Sequence, residues 1–295
     1  MKKQSSRIKI LVACHKPDPN IRQDDIYMPI QVGKALHPEI DLGFQCDNTG
    51  DNISEKNASY CELTALYWAW KNLKDVDYIG LCHYRRYFDF TSHKGAFKIL
   101  PTEELLNKSL SPSISDTSRE VVLPKFWTLP HNVWRDFSSH VLQQDLYILY
   151  KVIESYYPAY LPTFEKYILG NKRTAFNMFL MRRDDFEDYC SWLFGILSKV
   201  EQLCSLHPYT SYSRLYGYLG EILLPVYCLH NKLKIREHQI IINGNNKSGK
   251  YSEIKYLIKK VLNNCSFFLG NIPRQKNLHN DYWETYLKID GIKID

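Results

Sequence analysis

The 295-residue sequence predicts an α/β fold with a mainly parallel central sheet flanked by helices, and three observations carry that expectation. Short apolar runs alternate along the chain with stretches of helical periodicity, the order expected of βαβ units. Several of those runs end in polar loops, at the edge where open parallel sheets bind ligands. The composition, 44% hydrophobic and 24% charged, is that of a globular chain long enough for a sizeable core; it excludes disordered and fibrous classes.

The elements follow in order. Ile8–Ala13 (IKILVA) is an apolar run that enters the loop Cys14-His15-Lys16-Pro17, which reads as a buried first strand. Gln45 to Asn57 is loop by its Gly, Asn and Asp content. Ser59-Tyr60-Cys61-Glu62 has the capping-box pattern, and Leu63, Leu66, Tyr67, Trp70 and Leu73 follow at helical spacing, so a helix is expected over residues 59–73. The run Asp77 to Cys82 reads as a buried strand that delivers His83-Tyr84-Arg85-Arg86-Tyr87-Phe88 at its carboxyl end. Residues 91–119 are a polar excursion, and Val121-Val122-Leu123-Pro124 restarts the sheet. A helix is expected over 138–155, a turn over 156–162 and a buried strand at Phe176–Met181. Asp184 is expected to cap a helix whose inner face is Phe186, Tyr189, Cys190, Leu193, Leu197 and Val200. A helix over 212–230 sets Leu215, Leu219 and Ile222 on one side and Arg214, Tyr218 and Glu221 on another; Lys234–Ile242 is the last strand.

Charge and cysteine content narrow the function classes. Net charge is +6, yet Lys232 to Lys276 alone holds ten Lys/Arg against Glu237 and Glu253, an excess of +8. The rest of the chain is slightly acidic, which argues against a general nucleic-acid binder and for a basic C-terminal face. The eight cysteines form no CxxC pair and no metal-ligand spacing, so they read as reduced thiols, mostly buried. No apolar run is long enough to cross a bilayer and the start is too briefly apolar for a signal peptide, which places the expected protein in the cytosol. Tyrosine is abundant, at 22 residues; this suits sugar-binding surfaces, and a coding bias explains it equally. P-loop, GxSxG, HExxH and GxGxxG motifs are missing from suitable places, leaving NTPase, hydrolase, metalloprotease and dinucleotide readings without support.

The most informative run is HYRRYF. Adjacent Arg85 and Arg86 at a strand's carboxyl end suit phosphate or carboxylate, though a doubled arginine is equally explained as solvated charge. The only Asp-x-Asp, Asp75-Val76-Asp77, precedes the strand, where it cannot hold a metal on a diphosphate at the carboxyl edge. Arginine can neutralise such a leaving group without a metal. Asp51, Asn52, Lys56 and Asn57 form a polar loop before a helix start that can take a phosphate or a base edge, or simply face water. The Asp47 to Asp51 loop is an alternative carboxylate source for a metal, though Asn/Asp/Gly turn chemistry explains it more simply. Glu62 has the look of an active-site acid, but its capping-box position explains it without a function and is the favoured reading. Glu221, on a face with Arg214 and Tyr218, is the expected general base, with an exposed polar face as the alternative. Tyr251 to Cys265 carries Ile254, Leu257, Ile258, Val261 and Leu262 on one side and Lys255, Lys259 and Lys260 around it; it suits an anionic membrane surface or packing on the domain.

Taken in order, Gly50-Asp51-Asn52-Ile53-Ser54, Asn57 with Tyr60-Cys61-Glu62-Leu63-Thr64, and Gly80-Leu81-Cys82-His83-Tyr84-Arg85-Arg86-Tyr87-Phe88 resemble a bacterial family of capsular- and exopolysaccharide-associated glycosyltransferases, much of it known as a domain of unknown function. Asn177-Met178-Phe179, Tyr189 to Phe194, and Arg214, Gly217, Tyr218 and Glu221 continue the resemblance, which covers residues 8 to 242. It implies a GT-A-like nucleotide-sugar-binding fold over residues 1–242; residues 91–119 and the tail have no counterpart in it, and the charge and periodicity of 243–295 are what suggest a basic helical extension suited to a membrane surface or to packing on the domain. It also implies hexosyl transfer from a UDP-linked donor, with UDP-galactofuranose the specific guess, to a lipid-linked or growing surface polysaccharide at the inner face of the plasma membrane. Donor contacts are then expected from His15, Asp51, Asn52, Lys56, Asn57, Tyr60, His83, Tyr84, Arg85 and Arg86, with Arg85 and Arg86 also catalytic beside Glu221. Acceptor contacts are expected from Asn177, Arg214 and Tyr218. No cofactor is expected to be required, Mn or Mg remaining open, and no nucleic-acid partner is expected. The rivals are a non-catalytic glycan- or nucleotide-binding protein of an assembly complex and a sugar-phosphate transferase.

Overall fold

The computed structural model describes residues 7–90, 119–206, 210–242, 253–270 and 281–294. The apolar run at the start forms β1 (Ile8–Cys14), with all but Lys9 buried, as a strand covered on both faces should be. It pairs in parallel with β2 (Tyr27–Gln31) on one side and with β4 (Tyr78–His83) on the other. β2 continues in parallel to β3 (Gln45–Cys46). Beyond β4 the sheet turns mixed: β9 (Phe179–Arg182) runs antiparallel to β4 and to β6 (Glu120–Pro124), so β6 regains the direction of β1, and β10 (Lys234–His238) lies parallel to β6. The order is β10-β6-β9-β4-β1-β2-β3, a mixed and mostly parallel sheet.

Gly80 explains why β9 can approach β4 so closely. A Cβ there would stand 2.8 Å from the Phe179 carbonyl and 3.1 Å from Ile10, so any larger residue pushes the strands apart. Burial also quiets the thiols: the Cys14 pKa is pushed up to about 12, chiefly by desolvation, and Cys82 is raised likewise.

Several elements differ from the sequence expectation. The helix expected over 59–73 is two: α1 (Asn57–Tyr60) and α2 (Leu63–Asn72), broken at Cys61, whose φ is 53°. The strand expected from Phe176 begins only at Phe179, because Phe176 and Asn177 also have positive φ, 75° and 50°. The HYRR run is a tight hairpin, since β5 (Arg86–Phe88) turns back antiparallel on β4 with His83 opposite Arg86. The expected last strand is split, and its second part, β11 (Ile240–Ile242), pairs with β5. Nothing in residues 91–118, most of the expected excursion, is among the described residues.

The chain divides into two discontinuous units. Unit 1, from residues 1–125, 174–191 and 231–249, contains the whole large sheet. Unit 2, from 126–173, 192–230 and 250–295, is mainly helical. In it the short ribbon of β7 (Trp127–Thr128) and β8 (Lys172–Arg173) accompanies α3 (Val133–Phe137), α4 (Gln143–Tyr156) and α5 (Leu161–Ile168). The helix α6 (Arg183–Leu203) follows β9 without a loop, which puts Asp184 inside its first turn rather than at a cap; its last dozen residues belong to unit 2. α7 (Thr210–Ser213), α8 (Leu215–His230), α9 (Glu253–Leu269) and α10 (Asp281–Ile289) complete unit 2, so the described helices after residue 242 group there. Among the described residues, no helix is long and apolar enough to cross a membrane.

Candidate functional site

The register of the parallel strands brings three loops to one edge of unit 1: Ala13 is level with His83, and Cys14 with Gln31. β9 starts at this edge, since Phe179 is level with Leu81, so the left-handed pair Phe176-Asn177 arrives beside His83. His83 Nε2 lies 2.7 Å from the Phe176 carbonyl oxygen. A carbonyl only accepts, so Nε2 carries the proton, and in the neutral ring Nδ1 keeps its lone pair. Nδ1 has no hydrogen-bond partner among the described residues.

Glu62 completes this corner and overturns the capping-box expectation. Its side chain makes no cap hydrogen bond; instead Oε1 accepts from Asn177 Nδ2 at 2.8 Å and lies 3.9 Å from His83 Nε2. The physical reason is the backbone at Cys61. Its carbonyl accepts from Asn57 Nδ2 at 2.7 Å, which helps hold the break between α1 and α2 and turns Glu62 inward, where it is buried. Sequence reasoning missed Glu62 as a site residue because 115 positions separate it from Asn177; the one available signal was that both fall in the motif blocks that carry the family resemblance.

Arg86 is half-buried, with its guanidinium carbon 4.3 Å over the Phe176 ring, and no carboxylate pairs with it among the described residues. Arg85, on the hairpin turn, leaves 51% of its side chain exposed; Asp18 is 3.7 Å away and the buried Tyr84 ring lies 5.1 Å below. His15 meets Tyr84 edge-on at 5.3 Å. His15, His83, Tyr84, Arg85, Arg86 and Asn177 are thus brought to one edge.

The polar loop is placed differently. Asp51 donates its N–H to Asn72, the last residue of α2, and accepts from Tyr67; Asn52 is occupied with Gly50 and Ser54. Ten residues of helix put Asn72 about 15 Å along α2 from its start, so Asp51 is tied to the far end from Glu62. Asn57 braces Thr64 as well as Cys61, Tyr60 is a core residue, and Lys56 lies 5.8 Å over the Tyr60 ring. Asp47 is fully buried and accepts from Gly33, Lys34, Ser54 and Thr64, which makes it the anchor of the loop, as turn chemistry suggested.

The remaining residues lie in unit 2. Glu221 Oε2 accepts from Arg173 Nη2 at 2.8 Å, and Asp136 takes the other arm of the same guanidinium, which lies over the Phe137 ring. Burial opposes the Arg173 charge, but Glu221 and Asp136 outweigh it and raise its pKa. Tyr218 stacks on His140 at 5.0 Å, and the exposed Arg214 at the turn before α8 lies 5.6 Å over the Tyr218 ring. Desolvation lowers the pKa of His140; the Arg173 charge adds to this, against Asp136. Asp136, His140 and Arg173 come from separate elements, and no local pattern marks them.

Among the described residues no three His, Cys, Asp or Glu side chains are placed to hold a metal ion. The unit 1 edge offers a guanidinium with no carboxylate among the described residues, a second one loosely paired, and an imidazole nitrogen with a lone pair, which together suit a bound anion and a hydroxyl beside it. A comparison with curated proteins finds no match. A solved structure does: the apo structure of the WbbM bifunctional glycosyltransferase is similar at 29% identity and a TM-score of 0.72, over 81% of this chain. The match spans 46% of that protein, a little under half its length. With residues 9–232 matched by its pattern, the chain belongs to the family described as a domain of unknown function (DUF4422) and has a glycosyltransferase-like fold.

Proposed function

We propose that the chain transfers a sugar from a nucleotide sugar to a lipid-linked or growing surface-polysaccharide acceptor. The observation that supports this most is Arg86, a half-buried guanidinium at the carboxyl edge of parallel strands with no carboxylate partner among the described residues. Such a group is desolvated in advance of its anion, and a diphosphate matches its fork. Arg85, half exposed and loosely paired, supplies a second cation. In this reading the two arginines stabilise the departing nucleoside diphosphate, the charge role that Mn or Mg plays in other transferases, and no metal is required. The donor is read as UDP-linked, with UDP-galactofuranose as the specific candidate, and the protein as peripheral at the inner face of the plasma membrane.

An inverting transfer also needs a base. Of the two groups that compete for the role, Glu221 has Oε2 engaged by Arg173, whereas His83 presents Nδ1. We assign the role to His83. The acceptor oxygen attacks the anomeric carbon, the bond to the diphosphate oxygen breaks with its electron pair leaving on the diphosphate, and the proton passes to Nδ1. Glu62 and the Phe176 carbonyl hold the ring in that tautomer, and Asn177 positions Glu62. Arg214 and Tyr218 are kept as acceptor contacts within unit 2.

Incubation with a panel of nucleotide sugars tests the class. Release of nucleoside diphosphate is expected; release of monophosphate makes the protein a sugar-phosphate transferase, and binding without release makes it a non-catalytic module. Loss of activity in EDTA with recovery on adding manganese overturns the metal-free step. His83→Asn is expected to abolish transfer and preserve donor binding, and an active His83→Asn beside an inactive, folded Glu221→Gln returns the base role to Glu221.

A further inference from the structure

The helix α9 is docked with its apolar side outward. Leu257, Ile258, Val261, Leu262, Phe268 and Leu269 are 54–74% exposed, and none of the helix's described residues belongs to the buried core. At 100° per residue these six, with the exposed Cys265, occupy an arc of about 140°. The ties to the rest of unit 2 lie outside that arc and are made by amides: Asn263, opposite the stripe, donates from Nδ2 to the Thr128 carbonyl at 2.7 Å, and Asn264, just beyond its edge, accepts from Asn171 at 3.0 Å. The next helix shows what ordinary docking looks like in the same unit. In α10 Leu287 is buried, and Glu284 accepts from Tyr147 and pairs with Lys151.

We propose that the outer face of α9 is a docking surface for an anionic lipid bilayer. Two features select that partner. The stripe is bordered on one side by Lys255 and Lys259 and on the other by Lys260, all exposed, with Glu253 at the helix start as its only acid. This is the arrangement of a helix lying in a membrane interface, apolar residues in the acyl boundary and lysines at the headgroups. The same lysines disfavour a second copy of the chain, because antiparallel pairing of two such stripes sets lysine borders together with no acid to answer them. The inference locates the surface for the peripheral placement proposed above but rests on no step of the reaction.

The test is flotation of the full chain with phosphatidylcholine vesicles, with and without phosphatidylglycerol. Binding is expected to the anionic vesicles only and to weaken in high salt. Replacing Lys255, Lys259 and Lys260 by Gln should weaken it roughly a hundredfold, given the attraction of each lysine to an anionic surface. Ile258→Asp with Leu262→Asp should abolish it and leave nucleotide release from a water-soluble acceptor reaction unchanged, which separates failure of this inference from failure of the transferase reading. An environment-sensitive dye on Cys265 should shift to the blue on anionic vesicles. No flotation, equal flotation on neutral vesicles, or a lipid-free dimer that the double Asp variant dissociates overturns the proposal, the last in favour of a second copy.

Discussion

Each unit of the molecule holds a cluster that joins an acidic side chain to basic ones, and the two clusters are finished differently. In unit 2 Arg173 lies between Asp136 and Glu221, so that each charge has an opposite one within hydrogen-bond reach. In unit 1 Glu62 is satisfied by Asn177, but among the described residues Arg86 has no carboxylate and His83 Nδ1 no hydrogen-bond partner. The backbone differs in the same sense: Cys61, Phe176 and Asn177, all beside the unit 1 cluster, are non-glycine residues at positive φ. A closed ion cluster holds a fold together, whereas an open one maintained against backbone strain is what a ligand site requires.

The largest effect should come from closing off the unit 2 cluster. Arg173→Ala removes the cation that Asp136 and Glu221, both half-buried, share, and should lower stability by about 3 kcal/mol, read as an earlier urea midpoint. A change near zero would mean that the cluster is solvated and the contrast between the units is false. Arg86→Ala should do the reverse: melting within a degree or two of the parent, but transfer lower by about 100-fold, the usual loss of a preorganised charge donor. A large loss of stability there would place Arg86 among the structural ions. Asn177→Ala should fall between, costing about 1–3 kcal/mol because Glu62 loses a buried donor. The smallest effect concerns His140. Burial lowers its pKa in the folded chain below the ordinary 6.5, so the unfolded chain takes the proton first. Its contribution is complete above that value and is lost as the pH falls below it. His140→Phe should therefore flatten the decline in melting temperature between neutral and mildly acidic pH; an unaltered slope removes the assignment.

How much of this was legible in the sequence follows the range of the interactions. β1 and β4 were readable to within a residue because strands buried on both faces are continuous apolar runs. The helix α8 was readable because Leu215, Leu219 and Ile222 recur at its period. The direction of β9 was not, since nothing within Phe179–Arg182 records which neighbours it has. The break at Cys61 was hidden because a glycine would have marked it and a cysteine does not. At the site the arginine pair was visible as a local motif, but Glu62 was assigned to a local pattern that the long-range bond to Asn177 overrides. Arg173 meets its two acids from three separate elements, a juxtaposition that no spacing encodes.

Cys61 also bears on how the protein is best handled. A single-thiol version for labelling Cys265 requires seven other cysteines to be replaced, and serine or alanine is the habitual choice. At position 61 either one inherits the left-handed torsion without relief, whereas glycine adopts it freely. Cys61→Gly should be the most stable of the three replacements, and the same logic marks that position as one where related chains can carry glycine with no loss of the inward-facing acid that follows.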